Sequence, residues 1–136
     1  MYKEIVQKLI DVLKASPDLA NVKDYYFSSP ISFKRFPFIY VQLNGRRFSG
    51  KANVNQFLYD LIIEIGIADK AIKEDEAEKS VYDKIETIDD ALNSNPSLDG
   101  LVSDMKMPRD FEIVHALEGD YSIALAKIIH VARKWI

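Results

Sequence analysis

The chain has 136 residues, is 48% hydrophobic and 29% charged, carries a net charge of −3 and contains no cysteine. These values fit one domain spanning 1–136 that buries roughly two thirds of its unfolded surface; they exclude a mostly disordered chain, disulfides, thiolate catalysis, iron–sulfur ligation and thiolate zinc sites. No apolar run approaches the ~18 residues of a membrane span, and the amphipathic start, with Glu4 and Asp11, lacks the apolar stretch of a secretory signal, so a soluble, intracellular protein is expected.

Residues 2–15 place Ile5, Val6, Leu9, Ile10, Val12 and Leu13 on one broad helical stripe. Ser16-Pro17-Asp18 stops that helix, because proline turns the preceding residue away from helical backbone. Val22 to Phe27 is short and aromatic, a predicted strand. Ser28-Ser29-Pro30 and Phe36-Pro37 bracket a loop.

Phe38 to Leu43 is rich in β-branched and aromatic residues and predicts a strand ending at Asn44-Gly45. Residues 44–53, polar and basic, predict an exposed hairpin tip. The next strand is the clearest in the chain. Phe57, Tyr59, Leu61, Ile63, Ile65 and Ile67 fall on one face, and Leu58, Asp60, Ile62, Glu64, Gly66 and Ala68 on the other. Two acids on the second face predict that it is partly wet, as an antiparallel sheet allows.

From about Glu74 to Asn93 the period changes: Ala77, Val81, Ile85, Ile88 and Leu92 line one side of a helix. Asn95-Pro96 and Gly100 close it. Leu101 to Met107 and Phe111 to Glu118 predict two further strands joined at Pro108-Arg109-Asp110. Tyr121 to Trp135 alternates large side chains with alanines, which predicts a strand packed on a helix, with a helix as the alternative. The order α-β-β-β-α-β-β-β defines an α+β class, two helices packed on a mainly antiparallel sheet.

Charge is unevenly placed. Residues 1–51 carry a net of +5 and residues 52–136 a net of −8, with nine acids and four lysines between Asp69 and Asp90. A solvated helix face accounts for such a run. Opposite potentials at two ends of one molecule also suit head-to-tail contact between copies. No pattern for reading nucleic-acid bases is present.

Gly45-Arg46-Arg47-Phe48-Ser49-Gly50-Lys51-Ala52 follows a strand and approximates the phosphate-cradling G-x-x-x-x-G-K loop. Ala52 stands where the metal-binding hydroxyl belongs, and the following segment alternates like a strand instead of opening a helix, whose N-terminus the anion site needs. A hairpin tip explains the arginines better. A phosphate-binding enzyme using Gly45–Lys51 is thus the weakest reading. His115 and His130 lie on separate predicted strands with no metal-ligand spacing. Asp60 and Glu64 would stand ~13–14 Å apart on one strand face, beyond the ~9.5 Å limit for glycosidase carboxylates.

The whole arrangement resembles the tail terminator and tail-completion (head–tail joining) proteins of long-tailed phages and prophages. The resemblance rests on the opening helix with Leu9, Val12 and Leu13, and on the Phe36-Pro37-Phe38-Ile39-Tyr40-Val41 entry into a strand. It continues through the run Tyr59-Asp60-Leu61-Ile62-Ile63-Glu64-Ile65, the acidic helix ending Ile88-Asp89-Asp90-Ala91-Leu92, then Leu98-Asp99-Gly100-Leu101-Val102 and Gly119-Asp120-Tyr121. It implies a non-enzymatic virion subunit without cofactor, found in the virion or host cytoplasm. Such a subunit forms a ring, commonly a hexamer, that caps the tail tube and meets the head connector while DNA passes through its lumen without specific binding. On this reading Arg46, Arg47 and Lys51 meet an acidic surface, and the helix bearing Asp75, Glu78, Asp89 and Asp90 faces the lumen or a neighbour. An intracellular adaptor on an α+β scaffold is the alternative.

Overall fold

A computed structural model describes residues 1–32, 35–106 and 110–136. Helix α1 (Tyr2–Lys14) buries Ile5, Val6, Leu9, Ile10 and Leu13. It gives way at Ser16, which is extended, to a single 3-10 turn, Pro17–Leu19, whose Leu19 is also buried. Six strands follow in one sheet: β1 (Asp24–Phe27), β2 (Phe38–Asn53), β3 (Gln56–Ala71), β4 (Asp104–Met105), β5 (Asp110–Glu118) and β6 (Tyr121–Trp135). Helix α2 (Glu74–Asn93) lies between β3 and β4 in the chain. The class is α+β.

The spatial order is β1-β2-β3-β6-β4, with β5 also on β6. Antiparallel ladders join β2 to β3, β3 to β6 and β6 to both β4 and β5. The β1–β2 pair is parallel, Asp24 to Phe27 matching Phe38 to Val41. The sheet is thus mainly antiparallel, as expected, with one parallel pair at its edge. The segment between β1 and β2 is long enough to return the chain to the same end of the sheet, which a parallel pair needs.

Both helices cover one face of the sheet. Ile39, Val41, Leu61, Ile63, Ile65, Ile67, Ala124, Ala126, Ile128 and Ala132 point into that layer and meet the apolar stripes of α1 and α2. The alanines of β6 lie beneath α2, where small side chains let a helix approach a sheet. Tyr121 to Trp135 is thus a strand, as its small–large alternation predicts. The odd-numbered set of β3 from Leu61 to Ile67 faces the helices, and the even-numbered set faces away from them.

Two expectations need correction. Residues 44–53 are not a loop but a continuation of β2, paired with β3 as far as Asn53–Gln56. Their extended state comes from that partner, since Gly, Ser, Asn and Lys give little strand preference of their own. The ladder shifts register between Leu43 and Gly45, Phe48 and Gly50, and Lys51 and Asn53; such bulges bend and twist a strand. Of the stretch expected as a strand from Leu101 to Met107, the described residues contain strand only at Asp104–Met105. Leu98, Asp99 and Gly100 all take positive φ, at 49°, 57° and 89°, and turn the chain before it can pair. Burial of the Leu98 side chain offsets that unusual backbone. The expected junction at Pro108 and Arg109, with Met107, lies outside the described residues.

Candidate functional site

The β2–β3 arm carries a cationic and aromatic patch. Arg46 lies on the helix-side face, with its guanidinium carbon 4.2 Å from the centre of the Tyr59 ring, and its Nη1 donates to Tyr2 Oη at 2.9 Å. Phe48 meets Tyr59 edge-on at 6.0 Å and Phe57 at 6.3 Å, and remains largely exposed. Lys51 Nζ is 5.9 Å from the centre of the Phe57 ring. Arg47 stands opposite Asp60 in the ladder on the other face. Asp60 itself is bound from elsewhere, by Lys106 Nζ and Arg133 Nε, each at 3.3 Å. The end of β6 thus adds Arg133 and Lys134 to this end of the sheet.

Residues 45–51, the stretch resembling a phosphate-cradling loop, are therefore strand paired to β3, and a second strand follows them, not a helix. The backbone N–H groups do not converge as a phosphate cradle requires.

The acidic candidates divide. Asp75 and Glu78 sit in the first turns of α2, at the opposite end of β3 from the arm. Asp75 is exposed and lies 3.5 Å from Lys79. Glu78 accepts a hydrogen bond from Tyr82 Oη at 2.9 Å and lies 3.5 Å from His115 Nε2. Glu74, also near His115, with Glu118 and Asp120 of the β5–β6 hairpin, completes an acidic end. About 13 residues of β3 separate the two ends, or ~40 Å at strand rise.

Asp90 is exposed near the far end of α2, but Asp89 turns inward. Its Oδ1 lies 3.5 Å from Nε2 of the buried His130, and neither atom has a hydrogen-bond partner. Burial raises the Asp89 carboxyl, with a smaller push from Asp90, and burial lowers His130 to about 4. The seven predicted residues thus occupy three places: the arm, the start of α2, and the later turns of α2.

Chemistry is sparse elsewhere. Among the described residues no group of three or more His, Asp or Glu side chains could hold a metal ion, and no helix is long and apolar enough to cross a membrane. A shallow depression on the face away from the helices is lined by Glu64, Asp110, Phe111, Glu112, Lys127 and Ile129. Both Glu64 oxygens are already occupied, by Tyr40 Oη at 2.5 Å and Asn44 Nδ2 at 3.2 Å.

The sheet edges are more informative, and the sequence reading missed one of them. Strand β5 is exposed along its length except at Ile113, and it displays Phe111, Val114 and Leu117. Its nine-residue ladder to β6 is unbroken, and among the described residues nothing pairs with its outer side. It carries Asp110, Glu112 and Glu118 but no Lys, Arg or Pro, the residues that normally guard an edge. That absence is the one signal in the sequence. On the far edge, β1 covers β2 only up to Val41, and among the described residues no strand pairs with the outer side of the cationic arm.

No family model matches this chain, and no curated protein matches it. Among solved structures it is similar to a chain of the "Virion of native gene transfer agent (GTA) particle", with a TM-score of 0.54 and 13% sequence identity. The match covers 92% of this chain and 90% of that one. At that identity the likeness is one of fold.

Proposed function

We propose that the chain is a structural subunit of a phage-like particle, a tail terminator or neck protein whose copies form a ring capping the tail tube and joining it to the head. The observation that carries this reading is the shared fold with a virion chain over nine tenths of both. The surface supports it: two unlike open strand edges, and opposite charge at the two ends of β3, are features of a part that meets neighbours. The tube and head connector are the further partners on this reading, and DNA passes through the lumen without being read.

The test is made on particles. Those purified from producing cells should contain the chain in a small fixed number of copies at the head–tail junction, by labelled electron microscopy. Deleting its gene should yield filled heads without attached tails. Normal particles after deletion, or particles that lack the chain, would sink the reading.

A further inference from the structure

We infer that the outer edge of β5 receives, as an added antiparallel strand, the Asn44–Asn53 arm of β2 from a second copy of this chain. The inference rests on the reading of the chain as a subunit that meets copies of itself.

Two edges of one sheet are open, and they differ. β5 is regular, apolar at Phe111, Val114 and Leu117, and acidic at Asp110, Glu112 and Glu118. The arm bears Arg46, Arg47 and Lys51 and no acid. Pairing β5 with itself is disfavoured: antiparallel pairing centred on Val114 sets Asp110 against Glu118 twice, and like charges directly opposite destabilise a ladder. Pairing β5 with the arm of a neighbour in the same orientation instead brings Arg47 to the face of Asp110, Glu112 and Glu118, and Phe48 to the face of Phe111 and Leu117.

Strand direction agrees. β2 is antiparallel to β3, β3 to β6 and β6 to β5, so β5 runs opposite to β2. A neighbour in the same orientation therefore offers the antiparallel partner, the better hydrogen-bonding geometry. Position adds a constraint. β5 lies beside the part of β6 that pairs with Glu64–Ala71 of β3, whereas the arm pairs with Gln56–Ile62. The neighbour is therefore displaced by about seven residues, ~23 Å along the strands. A stagger of that kind closes into a ring when strands tilt from the ring axis, as they do in barrels. Register shifts flank Gly45 to Phe48 but leave it a regular run carrying two arginines.

Charge reversal in trans tests the pairing on the full chain. One variant carries E112K/E118K on β5, the other R47E on the arm, all on the sheet face away from the helices. By sedimentation, each alone should associate ~10-fold or more weakly than wild type, and an equimolar mixture should recover, since each reversed edge then meets an opposite charge. Amide exchange supplies a second readout that no refolding defect mimics: Ile113 to Leu117 should gain protection in assembled wild type.

Wild-type association that neither reversal weakens would overturn the β5–arm contact while leaving the particle-subunit reading intact. So would a mixture that fails to recover from two folded variants, or β5 amides that exchange at monomer rates at ~1 mM protein. Binding of the arm to duplex DNA with β5 still unprotected would likewise overturn it. Loss of the chain from particles bears on the parent reading alone.

Discussion

Tyr40 and Gly66 face each other across the β2–β3 ladder so closely that a Cβ on residue 66 would lie 1.9 Å from Tyr40 Cε1. The ring uses that space to reach Glu64, to which its hydroxyl donates. Buried on the sheet face that no helix covers, this tyrosine has its pKa raised above its usual value, by burial first and the Glu64 bond second. The glycine thus serves the tyrosine's placement.

Gly66→Ala should destabilise by about 1–3 kcal/mol through overpacking, and Tyr40→Phe by about 1 kcal/mol through the lost hydrogen bond. Urea unfolding reads both. The double variant Y40A/G66A should cost clearly less than the sum of its single changes. Strict additivity would contradict the contact.

Acid should weaken the fold through His130. Its folded pKa is lowered from 6.5 to about 4, so the unfolded chain binds more protons between those values. The stability held at neutral pH is complete above ~6.5 and declines as pH falls towards 4, by about 3 kcal/mol at most. Asp89, raised by burial, has the opposite sign and trims the loss at the acid end. Denaturant midpoints at pH 7 and pH 5 should differ in wild type and converge in His130→Leu. An equal slope in both proteins would refute the assignment.

Lys84 sits buried on α2, its Nζ donating to Ser80 Oγ at 2.8 Å and lying 3.8 Å from Asp69 on β3. Ser80 in turn donates to Asp69 at 2.5 Å. Removing the lysine leaves Asp69 short of its cation. Lys84→Ala should therefore cost about 3 kcal/mol, near the low end for a broken buried pair, while Lys84→Met, which refills the space, should cost less. Thermal melts would distinguish the two.

Leu9 and Leu117 are both leucines in regular structure, one fully buried and the other 81% exposed. Leu9→Ala should cost about 2–5 kcal/mol, as buried truncations do. Leu117→Ser should leave stability within about 0.5 kcal/mol yet weaken self-association. A surface role for β5 predicts that separation; a loss of stability without a change in association would argue against it.

Helix α2 was legible to its ends because its apolar residues repeat at helical spacing, and the two faces of β3 were legible because they alternate. Both signals are local. The arm was misread because its extended state is imposed by β3, and β4 because three left-handed residues from Leu98 to Gly100 turn the chain away from an otherwise strand-like stretch. The meeting of Asp89 with His130 depends on how α2 settles on β6, which no spacing within either element records. The charge asymmetry was visible, but its axis was not. Arg133 and Lys134, counted with the acidic remainder in the sequence, stand at the basic end once β6 runs back along β3.

On the inferred β5–arm contact, the two unlike open edges would give the molecule a valence of one socket and one plug. A row of any number of copies joined through them always ends with one socket and one plug unfilled, and so can always accept another copy. Only closure consumes both. On such a design the number of copies is set by the angle at each joint and not by any residue that counts, and small changes in the bend at the arm's bulges would change the size of the closed assembly without touching the contact itself.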